Sequence, residues 1–85
     1  MELKNKTLQE IKEIFKPGKT FYLTGDKYHV INYTLDGDIE LIVVKSWDKY
    51  RNRWGYKVWN FKKSFYECDV QDGYVRFTKH KRKRS

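Results

Sequence analysis

Residues 19–47 read KTFYLTGDKYHVINYTLDGDIELIVVKSW, and the way this stretch divides decides the fold. Gly25-Asp26 and Asp36-Gly37-Asp38 are turn signals, and the runs around them are rich in β-branched and aromatic residues. They predict strands near residues 20–24, 28–35 and 39–47. In the third of these, Ile39, Leu41 and Val43 share one face and Ile42 and Val44 the other. Both faces are therefore expected to be covered, and the strand to be central.

Downstream, Trp47 and Trp54 bracket DKYRNR, a polar connection long enough for an open hairpin loop. A fourth strand is expected through WGYKVWNF (54–61), then a short turn or one helical turn over KKSFYECDV (62–70). Asp72-Gly73 precedes a last strand, YVRFT (74–78). Upstream, Thr7-Leu8-Gln9-Glu10 has the form of a capping box, in which hydroxyl and carboxylate each satisfy a free amide at a helix start. Leu8, Ile11 and Phe15 follow at helical spacing with Ile14 beside them, and Pro17-Gly18 ends the pattern, predicting a helix over about 8–16. So short a helix does not persist alone in water, so its apolar stripe must lie on the strands.

The fold class is therefore mostly β, a small α+β chain. Five short antiparallel strands with a helical turn between the last two resemble the small SH3-like barrels across residues 20–78. That resemblance implies a five-stranded antiparallel barrel, to which the N-terminal helix is an addition. An OB-like barrel is the second candidate, although it usually needs a longer chain and a helix between strands three and four. The expected organisation is a single domain over 1–78 and a basic, disordered tail over 79–85.

At 85 residues beginning with Met1, the sequence reads as one complete small domain with a thin core. Aromatic content of 18% offsets this, because each buried ring removes about 150 to 250 Å² from water. Some rings must be structural. Cys68 has no partner in the chain and no apolar leader precedes Thr7, so a reduced, cytoplasmic setting is expected. The longest apolar run, Leu41 to Val44, is far below membrane-spanning length.

Net charge is +8 and unevenly placed. Lys45, Lys49, Arg51, Arg53, Lys57, Lys62 and Lys63 face only Asp48 within their stretch, and Lys79, Lys81, Arg82, Lys83 and Arg84 crowd the C-terminus. The remainder of the chain is net acidic. Such segregation points to a polyanionic partner, because a merely soluble surface mixes its signs. Lys-rich composition without alanine also suits an AT-rich bacterium or one of its phages, an association rather than a physical argument.

Enzyme chemistry has few candidates. His29 and His80 are the only imidazoles and neither lies at metal-ligand spacing from Cys68 or a carboxylate pair, so no metal and no cofactor are expected. Asp36 and Asp38 begin like a calcium loop, but no later ligand positions follow, and they read as turn formers. A metal-free ribonuclease using Arg, Lys, Tyr and His is a third-ranked reading.

Between Trp47 and Trp59 the sequence WDKYRNRWGYKVW combines rings and cations. Strand alternation puts Trp54, Tyr56 and Val58 on one face and Lys57, Trp59 and Phe61 on the other. Lys57 at the centre of the second set argues that this face meets water, which leaves Trp59 exposed beside it. Tyr50 shares its loop with Lys49, Arg51 and Arg53, where burial is disfavoured. Trp47 and Trp54 read first as hairpin-stem core. Tyr50 and Trp59 are thus the expected stacking rings, and the cations from Lys45 to Lys63 and in the tail the expected phosphate contacts. The leading expectation is a non-enzymatic binder of RNA or single-stranded DNA. The alternative is a small phage or mobile-element type protein that engages a host protein through Trp, Tyr and Arg, the residues that dominate protein hot spots.

Overall fold

The computed structural model describes residues 3–78, so the basic tail from Lys79 onward lies outside the described residues. The elements are α1 (Leu8–Ile14), β1 (Thr20–Leu23), β2 (Asp26–Asp36), β3 (Ile39–Asp48), β4 (Arg53–Asn60), α2 (Phe61–Val70) and β5 (Val75–Arg76). The strands form one antiparallel sheet in the order β4-β3-β2-β1-β5. Strands β1 to β4 are a meander, and α2 carries the chain back so that β5 lies beside β1.

Local chemistry sets the turns. Leu23 pairs with Asp26, leaving a two-residue hairpin loop whose Thr24 and Gly25 both have positive φ, 49° and 92°. That is the geometry whose twist matches the flanking strands. The left-handed backbone disfavours a β-branched residue, and the Thr24 hydroxyl compensates locally by donating to the Leu23 carbonyl at 2.7 Å. Between β3 and β4, the Asp48 carboxylate accepts from the Tyr50 and Arg51 amides at 3.0 and 3.2 Å, and Asn52 takes φ 54° before the chain re-enters the sheet.

Helix α1 starts as its capping box predicts. The Thr7 hydroxyl accepts from the Glu10 amide at 3.1 Å and the Glu10 carboxylate from the Thr7 amide at 2.8 Å. Those bonds, with the Thr7 amide first among the causes, hold the Glu10 carboxyl below its usual range. Ile11 and Phe15 are fully buried. Tyr33 Oη donates to the Phe15 carbonyl at 2.7 Å, and Lys12 pairs with Glu40, tying the helix to β2 and β3. Burial, with Glu40 adding to it, pushes the Tyr33 hydroxyl well above its usual range.

Four expectations are corrected by the fold, the first being that both faces of β3 are covered: Ile39, Leu41 and Val43 lie on the face that neither helix covers. Among the described residues no closed barrel forms: β4 and β5 are the two margins of an open sheet. Closure would need the sheet to curl onto the face where both helices lie, and Phe15, Phe61 and Phe65 already fill that space. The predicted turn over 62–70 is instead the ten-residue π-helix α2, capped by the Asn60 side chain, which accepts from the Lys63 amide at 2.8 Å. Its buried Phe61, Phe65 and Val70 recur at spacings of four and five residues, which the wider π turn places on one side. The last strand is also shorter than the predicted 74–78 and spans only Val75–Arg76.

One face of the sheet is thus core. Phe15 lies at its centre, edge-on to Phe21 and Phe65 with ring centroids 5.4 and 5.1 Å away and stacked on Phe77 at 5.3 Å. Val30, Ile42 and Val44 form the floor beneath these rings. Among the described residues, neither helix covers the opposite face, and no helix is long and apolar enough to cross a membrane.

Candidate nucleic-acid interface

Register fixes what the open face carries. Lys45 lies between His29 on β2 and Tyr56 on β4, Trp47 pairs with Trp54, and Val43 pairs with Asn32 and Val58. These partners share a face, because opposite residues of an antiparallel pair point the same way. The alternate set, Ile42 with Trp59 and Val44 with Lys57, turns toward the helices.

The expected orientation of β4 is therefore reversed. Trp59 is half-buried, edge-on to Tyr28 at 5.2 Å and stacked at 6.2 Å on Phe65. Trp54, Tyr56 and Val58 stand in solvent instead. The cause lies in the neighbours: Phe61, at the same parity as Trp59, must enter the core to begin α2, and Trp59 is paired with buried Ile42. Lys57 shares that parity without penalty, because the edge of β4 lets its ammonium reach water.

On the open face the rings interlock. Trp47 is 49% exposed, Trp54 40% and Tyr56 64%. Trp54 meets Trp47 edge-on at 5.3 Å and His29 edge-on at 5.4 Å, and Lys45 Nζ lies 4.3 Å from the centre of its ring. His29 belongs to β2, two strands or about 10 Å from β4, so the indole must extend across β3 to reach it. Partial burial, then Lys27 and Lys45, hold the His29 imidazole below its ordinary pKa and favour its neutral form. Tyr22, Lys27 and Arg76 extend the same face toward β5. Among the described residues that register assigns to this face, Asp36 at the β2–β3 tip supplies the single carboxylate.

The cations expected from sequence are divided rather than gathered. Lys45 belongs to the open face. Lys49, Tyr50 and Arg51 occupy the β3–β4 loop, where Tyr50 is 90% exposed and Arg51 Nε lies 3.9 Å from Asp48. Arg53 and Lys57 take the parity of the helix-covered face, although both side chains are exposed. Lys62 and Lys63 lie on α2, with Lys63 Nζ 3.9 Å from Glu67. Lys49, Tyr50 and Lys57 do converge, with Lys27, on a groove of about 520 Å³ at the end of the sheet, which Asp26 and Asp48 also line. Lys79, Lys81, Arg82, Lys83 and Arg84 lie outside the described residues.

Trp47, Trp54, Tyr56, His29 and Lys27 were not expected as a cluster. The available signal was ring type: Phe has no polar atom, so Phe61 belongs inside, and strand parity then sends Trp59 with it and Trp54 outward. Among the described residues no group of three His, Cys, Asp or Glu is gathered as a metal site requires. No protein-family model matches the chain, and neither a curated protein nor a solved structure is significantly similar to it.

Proposed function

We propose that the protein is a non-enzymatic binder of single-stranded nucleic acid, RNA or DNA, that receives bases on the open face of its sheet. The observation that carries this reading is the Trp47, Trp54 and Tyr56 cluster, solvent-exposed, fringed by Lys45, Lys27 and the loop cations, on a face whose one carboxylate lies at its far tip. Exposed rings offer bases a π-face at about 1 to 3 kcal/mol each, and the cations hold the phosphates. Stacking therefore passes from Trp59 to Trp54, Trp47 and Tyr56, while Tyr50 keeps its place beside Lys49, whose Nζ is 5.8 Å from its ring centre. The tail cations would add affinity without sequence preference. Exposed, unpaired Cys68 suits the reducing cytoplasm in which such a protein would work. The strand order, with a helix before β5, supports kinship with opened SH3-like barrels.

The test is retardation of short RNA, single-stranded DNA and duplex by protein freed of nucleic acid. Preference for either single strand is expected. Equal retention of duplex would assign the cations alone to binding, and no retention by any of the three would remove the reading.

One observation favours a protein partner instead. Strand β4 is an eight-residue margin whose outer backbone groups, among the described residues, lack a neighbouring strand and which presents Trp54, Tyr56 and Val58. Such an edge accepts an added strand from a host protein.

A further inference from the structure

At the opposite margin of the sheet, Tyr22, Thr24, Gly25, Gly73, Tyr74 and Arg76 line a recess of about 320 Å³. Tyr22 is the register partner of both Arg76 and Lys27, so the recess opens on the face that carries Trp54. Its two glycines have φ of 92° and 81°, and nothing lies within 4 Å of where a Cβ would stand on either. Part of the recess wall is therefore bare backbone that a flat group can approach closely. Tyr74 is half-exposed, and Arg76 is exposed. Two phenol rings, a guanidinium and a hydroxyl, with no carboxylate among the lining residues, match a planar aromatic group joined to an anion.

We infer that this recess holds a base of the same strand that stacks on the Trp47, Trp54 and Tyr56 cluster, with Arg76 on a flanking phosphate. The inference rests on the single-strand reading and adds a path: the nucleic acid crosses the sheet from β4 to β5, transverse to the strands. Four interstrand steps of about 4.8 Å separate the two margins by about 19 Å. At about 3.4 Å per stacked nucleotide, some six nucleotides span them. The Trp54 ring reaches inward to His29 on β2, which leaves about two interstrand steps, about 10 Å, between it and the recess. The end bases of a stacked trinucleotide are about 7 Å apart, so a trinucleotide can occupy one station only.

All three tryptophans belong to β3 and β4, so quenching of their fluorescence reports the first station alone. The full chain, its Tyr74→Ala and Arg76→Gln variants, and oligothymidylates of about three and about nine nucleotides make the experiment, since only the longer exceeds the span. Circular dichroism confirms that each variant is folded. Either variant is expected to weaken the nonamer about 5- to 150-fold while the trinucleotide affinity stays as in the wild type. Arg76→Gln should also lower the salt slope of nonamer binding by about 0.7. If quenching persists and both variants bind the nonamer as the wild type does, the transverse path is wrong and the stacking reading stands. If neither oligonucleotide binds the wild type, both fall.

Discussion

Under the helices the sheet meets phenylalanine, whereas its open face presents tryptophan, tyrosine and histidine. Phe15, Phe21, Phe61 and Phe65 are all essentially inaccessible, while Trp47, Trp54 and Tyr56 each keep a large part of their surface in water. Hydrophobicity alone does not make this division, since all of these rings gain from burial. The polar atom does. An indole N–H or phenol O–H taken inside needs a partner or an opening to water: Tyr33 reaches the Phe15 carbonyl and Tyr66 the Lys6 carbonyl, while Tyr28 and half-buried Trp59, without a protein partner among the described residues, keep their polar atoms at the edge of the core. Rings without such a partner remain where water, or a ligand, can supply one.

The contrast breaks most severely at Phe15. Phe15→Ala removes the ring that Phe21, Phe65 and Phe77 surround and should cost about 3 to 5 kcal/mol in urea unfolding, a large share of the stability of so small a chain. A loss below about 1 kcal/mol would mean that α1 does not anchor the core.

The two tryptophans of β4 give the sharpest pair. Trp59→Ala should destabilise by about 2 to 3 kcal/mol, less than a fully enclosed ring. Trp54→Ala should change stability by about 1 kcal/mol or less yet reduce single-strand affinity by about 1 to 3 kcal/mol with the salt slope unchanged. The reverse pattern in unfolding and titration would restore the orientation read from alternation. Lys45→Gln separates charge from stacking: the salt slope should fall by about 0.7, and all sequences should weaken alike.

The smallest effect is expected at His29. Its pKa in the folded protein lies below its unfolded value of about 6.5, through partial burial and then Lys27 and Lys45. Its contribution to stability is therefore complete above about pH 6.5 and is lost as pH falls through the folded value. Between about pH 7 and 5 the wild-type urea midpoint should drop slightly more than that of His29→Gln. Identical slopes would mean that neither burial nor the two lysines disfavour the charged imidazole.

Much of the meander was legible because its signals are local. Thr7 and Glu10 cap α1 through bonds three residues long, and Gly25 marks the first hairpin turn, although the sequence places it at Gly25-Asp26 and the loop is Thr24-Gly25. Strand β4 was misread because it is apolar on both sides: Trp54, Tyr56 and Val58 compete with Trp59 and Phe61, and alternation carries no sign. Only tertiary neighbours, Ile42 across the ladder and Phe65 on α2, choose between them. The open sheet was hidden for the same reason, since nothing within KKSFYECDV announces a ten-residue π-helix large enough to fill the face on which a barrel would close.

Strand β5 has a kinetic consequence. Its ladder consists of Tyr22 with Arg76 and Leu23 with Val75, pairs more than fifty residues apart in the chain, whereas the hairpins of the meander close over a few residues. Loop-closure entropy must be met before so distant a contact returns anything, so β5 is expected to join late in folding and to be the first part of the sheet to open. In hydrogen exchange its amides should lose protection through a local opening well below the global unfolding energy, while those of β3 exchange only with the whole. The Tyr22 and Tyr74 recess thus exists only while this short strand is docked, and a ligand seated there would slow exchange at residues it never touches.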